Sequence, residues 1–430
     1  MEAPTITRNF DCTIVGGGIH GTYLTQRLLE DPGFDRTDLR IIDPHDRLLT
    51  SFREKAATCG MDSLRSTFVH HIGTEPFGLE SFAEGNDRAN ELIPTVNYPP
   101  RPSLDLFLDY SDYVISRHEL ESLHLQASVE AIHNCPGGEG LRLETTAGPI
   151  DTNHCILAIG HGDRYRRPDW AVGLDRVEHV WGQFDHEASV EHTIVVGGGI
   201  TAMQLACALC ETEMVTLVSR HPLEWELSEA DPRWINWSYI ETTLHGHPPG
   251  SKEQLEVVAD ACYTATVPPF LSAEFADRRT SGALAVVHGD VSSVVDDGET
   301  VRVALKGGST FLGDRVVLAT GFESIFDHPF VDRIAERLDL ARGYQGMPVL
   351  DDDRLVWQSN DGRFVPLYVT GALALGTVGP YAPNIPGARR ASDRITTAIT
   401  RRGCRPASER PGNRNHGPEV STNLHSPPQS

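Results

Sequence analysis

The sequence predicts an α/β protein with two sheet-and-helix domains, the second inserted into the first. Two stretches carry this prediction, since each joins a short apolar strand pattern to a glycine-rich turn and a helical pattern: residues 12–30 and 193–213. Buried-strand patterns recur at residues 315–322 and 367–371, before a last helical pattern at 387–400. The chain is therefore predicted to return to its first sheet after completing the second.

The first glycine turn follows the apolar run Cys12–Val15 and precedes a predicted helix. Gly16 allows the tight turn, Gly18 lets the backbone approach a pyrophosphate, and Gly21 lets helix and strand pack closely. The helix N-terminus, which the chain enters at Ile19, offers free N–H groups and a positive dipole end to phosphates. This pattern is typical of a dinucleotide-binding domain with a Rossmann-like, three-layer α/β fold.

A second apolar run, Leu39–Asp43, ends in an acid about 20 residues after the turn. Asp43 can accept hydrogen bonds from both ribose hydroxyls of an adenosine and would repel a 2′-phosphate. Gly160 ends a later buried strand and is expected close to the same nucleotide. Because a second turn lies far downstream, the first nucleotide is predicted to be FAD. The alternative is a glycine-rich turn that binds no nucleotide.

The second turn carries Gly197, Gly199 and Ala202 in the same three roles. The strand after it ends at Arg220, where the first domain has Asp43. A guanidinium at this place suits a 2′-phosphate, which favours NADP(H) over NAD(H). The alternative is a surface arginine at a strand end. Two such sites facing one cleft would let a nicotinamide reduce a flavin, although a duplicated, non-catalytic fold would show the same pattern.

These patterns divide the chain into segments. Residues 1–165 are predicted to form the first part of the FAD-binding domain, and 326–402 its last part. Residues 166–325 are predicted to form the NAD(P)H-binding domain, with a partly helical insertion at about 222–282 that covers the cleft. Residues 403–430 contain few apolar side chains, so we expect a disordered tail.

Residues 51–102 show little regular periodicity but many apolar and aromatic side chains, so we expect them near the flavin ring or the substrate entrance. Arg65, His70 and His71 are candidate site residues there, although a surface or structural contact is the favoured explanation for each one singly. No nucleophile elbow or spaced metal-ligand set stands out. The catalytic residues are therefore unassigned, and no metal is expected.

The formal net charge of −23 argues against nucleic acid or an anionic membrane as a partner, because both would require a basic surface. Of the 37 basic residues only Lys55, Lys252 and Lys306 are lysines. An acid-rich, lysine-poor composition is typical of halophilic proteins, whose surface charge keeps them in solution. A GC-rich genome would favour arginine too, but would not explain the excess of acid.

The sequence has no run of 18 apolar residues and no signal-peptide pattern, so we expect a cytoplasmic protein without a transmembrane helix. The 8 cysteines are scattered, as reduced thiols in a cytosol would be. Cys207 and Cys210 have CxxC spacing and are either a redox pair or helix-packing residues. Packing is favoured because both lie inside a predicted helix rather than at its start. The sequence gives no oligomeric state.

The order of motifs resembles that of flavoproteins with two dinucleotide-binding domains, in particular the flavin-containing monooxygenase superfamily near the lysine and ornithine N-hydroxylases. The motifs that carry this resemblance are Gly16-x-Gly18-x-x-Gly21 with Asp43, Gly197-x-Gly199-x-x-Ala202 with Arg220, Ala319-Thr320-Gly321-Phe322, and Gly371 with Asn384–Arg389. The resemblance spans about residues 10–400. It implies that Val129 lies near the adenine, that Asn384 lies near the flavin ring, and that Thr320, Gly321 and Gly371 also bind the cofactors.

The resemblance implies an FAD-dependent, NADPH-using oxidoreductase. Such an enzyme acts through a flavin C4a-hydroperoxide that transfers oxygen to a small nucleophile, an amine or a thioether. One alternative is an NAD(P)H-dependent reductase or dehydrogenase that passes electrons to a quinone, a disulfide or a partner protein. Another is a flavin-binding redox sensor without turnover. The partner expected for the enzyme is a small-molecule substrate.

Overall fold

The computed structural model describes residues 8–402, apart from residues 183, 186, 187, 189 and 264. The predicted tail, residues 403–430, lies outside the described residues. No helix in the described part of the chain is long and apolar enough to cross a membrane.

The strands are numbered in chain order. They are β1 (Arg8–Val15), β2 (Leu39–Asp43), β3 (Leu92–Thr95), β4 (Tyr98–Pro102), β5 (His124–Gln126), β6 (Val129–Asn134), β7 (Leu141–Thr145), β8 (Ile150–Leu157), β9 (Val177–His179), β10 (His192–Val196), β11 (Met214–Ser219), β12 (Glu224–Trp225), β13 (Thr266–Val267), β14 (Leu284–His288), β15 (Val291–Asp296), β16 (Val301–Leu305), β17 (Thr310–Gly313), β18 (Arg315–Leu318), β19 (Val356–Gln358) and β20 (Phe364–Val369).

The helices are numbered in the same way. They are α1 (Ile19–Leu29), α2 (Thr50–Thr58), α3 (Gly78–Gly85), α4 (Leu104–Arg117), α5 (Ile200–Leu209), α6 (Trp237–Thr243), α7 (Lys252–Ala261), α8 (Ser272–Thr280), α9 (Pro329–Arg337), α10 (Leu375–Val378) and α11 (Ile385–Arg402).

The first sheet has the strand order β19-β20-β8-β1-β2-β5, and the β6–β7 hairpin joins it beside β8. Its central strand, β1, runs parallel to both β2 and β8, which places Ile14 opposite Ile41 and Ile156. All three isoleucines are buried, as expected for a parallel strand covered on both faces. The parallel strands of this sheet therefore end on a common edge, beside the first glycine turn.

The second sheet has the order β14-β11-β10-β18-β9, and every pairing in it is parallel. The chain leaves the first sheet after β8, builds the second, and returns with β19 and β20. A small antiparallel sheet, β15–β16–β17, accompanies the second sheet. This confirms the predicted fold class: two Rossmann-like α/β units, one inserted into the other.

The excursion between β11 and β14 is partly helical, as predicted, but its packing is divided between the two units. Trp234 and Trp237 are buried in the core of the first unit, together with Ile240 of α6. Phe275 of α8 packs instead in the core of the second unit. The excursion therefore joins the two units, because its apolar residues are shared between both cores.

The segment expected to be irregular, residues 51–102, contains most of α2, all of α3, and the β3–β4 hairpin. That expectation is wrong in this respect. Ala56 is the one fully buried residue of α2, and Leu79 and Ala83 are those of α3. Such short helices bury too few side chains to show a helical period in the sequence.

Candidate functional site

The first glycine turn is packed closely against the sheet. Gly16 has φ +112°, and a Cβ there would overlap the carbonyl oxygen of Ala158. A Cβ on Gly21 would overlap the carbonyl oxygen of Gly16, whereas a Cβ on Gly18 would meet no atom within 4 Å. No side chain caps the start of α1. The turn therefore leaves open space at Gly18 beside free helix N–H groups, and this arrangement fits a pyrophosphate.

Asp43 ends β2 with its carboxylate turned toward the turn. Its Oδ2 accepts a hydrogen bond from the Gly17 amide at 2.6 Å. Its Oδ1 accepts one from the His45 amide at 3.0 Å and lies 2.7 Å from His45 Nδ1. The Asp43 carbonyl accepts a bond from the Ala127 amide, two residues before Val129 at the start of β6. The segment just before Val129 is thus hydrogen-bonded to the end of β2.

His20 ties the first turn to the end of the chain. Its Nδ1 lies 2.8 Å from Thr370 Oγ1, and its Nε2 lies 3.1 Å from the carbonyl oxygen of Pro383. Gly371 follows Thr370 directly and has φ +74°. A Cβ built on Gly371 would lie 3.9 Å from the His20 ring. Burial lowers the pKa of His20 to about 4, although the Pro383 carbonyl opposes the shift. The imidazole is therefore neutral near neutral pH and bridges three segments.

Sequence reasoning missed His20. Its partners lie about 350 positions away, and a histidine between Ile19 and Gly21 carries no local signal. Gly160, by contrast, is predicted from the sequence. It has φ +60° and lies two residues after Ala158, whose carbonyl packs against the turn at Gly16. A built Cβ on Gly160 meets no atom within 4 Å, so space is open there.

A cavity of about 490 Å³ opens where α1, α11, residues 61–70 and the excursion meet. We call it the apolar cavity. Ile19 and Asn384 line it at the two helix starts. Most of its other lining residues are apolar: Phe52, Met61, Leu64, Pro99, Leu227, Pro232, Ile235, Pro383, Ile385 and Pro386.

The second glycine turn has the same closeness to its sheet. A Cβ on Gly197 would overlap the carbonyl oxygen of Ala319. A Cβ on Gly199 would meet only the Cα of Ala265, at 3.9 Å, so the turn is open there. Ala202 is fully buried at the third position. Arg220 follows β11 and is exposed. These residues line a second cavity of about 580 Å³, the nucleotide cavity.

Thr320 and Gly321 line the nucleotide cavity on the segment that leads back to the first unit. The Thr320 hydroxyl donates to the Arg166 carbonyl, and the Arg166 amide donates to the Gly321 carbonyl at 2.9 Å. Gly321 adopts φ +78°, which favours glycine. The two connections between the units are therefore held together beside the nucleotide cavity.

The two cavities meet at Arg65 and Glu229, which line both. Arg65 is engaged by structural contacts. Its nitrogen atoms donate to the carbonyl oxygens of Leu227 (2.6 Å), Glu226 (2.9 Å) and Ser228 (2.9 Å), to Thr266 Oγ1 (2.6 Å) and to Glu229 Oε1 (3.4 Å). Glu229, which no sequence motif marks, therefore stands at the border of the two cavities.

The cysteines of the CxxC pair take no part in either cavity. Cys207 and Cys210 are buried in and at the end of α5, and both are free. Burial raises the pKa of Cys207 to about 12 and that of Cys210 to about 11. The helix-packing interpretation is confirmed, because these thiols are shielded and stay protonated. In the described residues no group of His, Cys, Asp and Glu is arranged to hold a metal.

Comparison with known proteins shows which family and which folds the chain is similar to. Residues 13–162 match the family described as FAD-NAD(P)-binding. Among solved structures, ornithine hydroxylase from Pseudomonas aeruginosa has a TM-score of 0.70 at 16% identity, over 91% of this chain and 98% of that chain. A curated-protein search finds no match.

Two further structures frame the comparison. The FAD-bound cadaverine monooxygenase of desferrioxamine biosynthesis from Erwinia amylovora has a TM-score of 0.71 at 14% identity, over 97% of this chain and 100% of that chain. A bacillithiol disulfide reductase from Bacillus cereus has a TM-score of 0.60 at 17% identity, over 92% and 100%.

These comparisons confirm the resemblance drawn from the motifs. Residues 13–162 match an FAD-NAD(P)-binding family, and the chain has the same fold as the ornithine hydroxylase, the cadaverine monooxygenase and the disulfide reductase. The description of the matched family names FAD and NAD(P) as its ligands, and the Erwinia amylovora structure holds FAD.

Proposed function

We propose that this protein is an FAD-dependent, NADPH-using monooxygenase that transfers oxygen to a small nucleophile, an amine or a thioether. The observation that carries the proposal is the meeting of the two cavities at Arg65 and Glu229. One cavity belongs to the second glycine turn, and the other lies at the helix start of the first. A nicotinamide and a flavin bound at these turns would share one cleft.

In this proposal the first turn holds FAD. The turn built by Gly16, Gly18 and Gly21 receives the pyrophosphate at Gly18, and Asp43 binds the ribose. The other residues proposed for the FAD site are Ile19, Val129, Gly160, Gly371 and Asn384. The domain boundaries proposed for the chain are those expected from the sequence: 1–165 with 326–402 for FAD, and 166–325 for NADPH, with the excursion at about 222–282 between them.

The second turn holds NADPH in the same proposal. The turn built by Gly197, Gly199 and Ala202 receives the pyrophosphate at Gly199, and Arg220 binds the 2′-phosphate. Thr320 and Gly321 line the path toward the flavin. Bound FAD supplies the hydride acceptor and the oxygen chemistry, while the protein orients the reactants and excludes water. The apolar lining of the first cavity suits that exclusion.

The likeness to a disulfide reductase supports a second candidate, a reductase that passes electrons on. No cysteine of the described chain lines either cavity, so no protein thiol stands ready to relay electrons to a disulfide. This observation favours oxygen transfer over thiol exchange.

The test is to follow NADPH oxidation, oxygen uptake and product together in the purified, FAD-loaded protein. A monooxygenase consumes oxygen and NADPH and gives an oxygenated amine or thioether. Oxidation of NADPH that yields product only with a quinone or disulfide acceptor would support the reductase instead. A bound flavin that NADPH never reduces would support the sensor. The variant Arg302→Ala, which removes an exposed arginine of strand β16 outside both cavities, is the control for variants that lose a positive charge.

A further inference from the structure

The apolar cavity contains few groups that could meet a charged substrate. Among the described residues that line it, only Arg65 and Glu229 carry a charge at neutral pH. Its one histidine, His70, is different, because burial and, to a smaller extent, the nearby Arg389 cation lower its pKa to about 4. The imidazole is therefore uncharged and offers a substrate no cation.

The guanidinium of Arg65 is already engaged. Its Nε donates to one backbone carbonyl, its Nη2 lies within hydrogen-bond distance of two more and of the Thr266 hydroxyl, and its Nη1 donates to the Glu229 carboxylate. These contacts hold the guanidinium group of Arg65 against the excursion, and 14% of the Arg65 side chain is exposed. A substrate carboxylate would have to compete with these acceptors for the guanidinium, after losing its own water.

Glu229 is in the opposite position. Its Oε1 lies 3.4 Å from Arg65, and its Oε2 accepts a hydrogen bond from Asn384 Nδ2 at 2.7 Å. A carboxylate has about four lone-pair sites, so further donors can be accepted. The side chain is 47% exposed where the two cavities meet. It can therefore hold a donor close to Asn384, at the start of α11 beside the proposed flavin site.

We propose that the apolar cavity binds an amine with an apolar body and no carboxylate, and that Glu229 holds the amine nitrogen. This rests on the proposed function and names its substrate class. In the reaction, RNH₂, O₂, NADPH and a proton give RNHOH, water and NADP⁺. A nitrogen–oxygen bond forms, the oxygen–oxygen bond breaks, and NADPH supplies the electron pair.

The site thus differs from one built for an amino acid. Such a substrate needs a cation for its carboxylate as well as an anion for its amine. Here the anion is available, the cation is engaged, and the walls are made of side chains such as Met61, Leu64 and Leu227.

The first experiment measures equilibrium binding to the oxidised FAD-loaded protein by calorimetry. The probes are 2-phenylethylamine and L-phenylalanine, which differ by the carboxylate, and 2-phenylethanol, which lacks the amine. We expect the amine to bind more than about 10-fold more tightly than the amino acid. Equal or tighter binding of L-phenylalanine would overturn the proposal.

The second experiment compares Glu229→Gln with Glu224→Gln, a control on the exposed start of β12 outside both cavities. We expect Glu229→Gln to weaken 2-phenylethylamine binding about 10-fold and to leave 2-phenylethanol unchanged. Equal weakening of both probes, or no change in amine binding, would contradict the role of Glu229. A different result would contradict the proposed function itself: NADPH would not reduce the bound flavin. That reduction is measured in the absence of any amine.

Discussion

At the first glycine turn, β2 ends in Asp43, a carboxylate only 9% exposed that is bonded to the turn amide of Gly17. At the second turn, β11 ends beside Arg220, which is exposed and lines an open cavity. The turns share the same spacing of small residues, but the residues at their strand ends carry opposite charges. The residue at the strand end can therefore decide whether a turn accepts an adenosine with a ribose 2′-hydroxyl or one with a 2′-phosphate.

The two turns also differ in how closely the helix meets the strand. The third position is Gly21 in the first turn and Ala202 in the second. A methyl group fits at Ala202, whereas at Gly21 it would overlap the backbone of Gly16. The first helix therefore lies closer to its turn, and this closeness can be tested directly.

The largest effect is expected from Gly21→Ala. The added Cβ would meet a backbone carbonyl that cannot rotate away, so we expect a destabilisation of about 3 kcal/mol or more and loss of bound flavin. The measurements are the flavin-to-protein ratio after purification and the thermal unfolding midpoint. The matched change in the second turn, Ala202→Gly, should cost only about 1 kcal/mol and leave the flavin bound. A Gly21→Ala protein with its full flavin would contradict the close packing.

Arg220→Ala should have the next largest effect. Loss of charge-assisted hydrogen bonds to a 2′-phosphate is expected to raise the KM for NADPH about 10- to 100-fold. The KM for NADH, which has no 2′-phosphate, should not change. Steady-state kinetics with both nucleotides measure this, with Arg302→Ala as the control. An equal rise for both nucleotides would place the 2′-phosphate away from Arg220.

Asp43→Asn should give a smaller effect at the first turn. The amide keeps an oxygen for the Gly17 amide but loses the charge that strengthens bonds to ribose hydroxyls. We expect FAD to bind about 10-fold more weakly, as measured by fluorescence titration of the apoprotein. Asp46→Asn changes an exposed carboxylate nearby and should have no effect. Unchanged FAD affinity in Asp43→Asn would remove Asp43 from the site.

The smallest effect concerns pH and is confined to the first turn, where His20 has Thr201 as its counterpart in the second. The pKa of His20 is lowered from 6.5 to about 4 by burial, so between these values the unfolded chain binds a proton that the folded chain does not. The contribution of His20 to the free energy of unfolding is therefore fully present above pH 6.5 and is lost as the pH falls toward about 4. The slope is at most about 1.4 kcal/mol per pH unit.

His20→Gln should make this acid-side slope shallower in denaturant unfolding at a series of pH values. His288→Gln, which changes an exposed histidine on β14, should leave it as in the unmodified protein. If both variants keep the slope of the unmodified protein, burial of His20 does not contribute to the loss of stability in acid.

The two turns could be predicted because their chemistry is local. A tight turn, a close approach and a strand-end charge each require a particular residue within a short stretch, and Gly16, Asp43 and Arg220 satisfy these requirements. The inserted arrangement of the two units followed from the order of buried strands.

The border between the cavities could not be predicted, because it depends on residues far apart in the chain. Arg65 and Glu229 meet through the folding of the excursion onto both cores, and Glu229 meets Asn384 in the same way. His20 likewise gains its role from Thr370 and Pro383. Only tertiary structure brings such groups together.

The most direct test of the central claim is anaerobic mixing of the FAD-loaded protein with NADPH or NADH, followed by the flavin absorbance. If both turns bind their nucleotides in one cleft, NADPH bleaches the flavin much faster than NADH, and Arg220→Ala abolishes the difference. Bound flavin that neither nucleotide reduces would contradict the claim that the two sites act together.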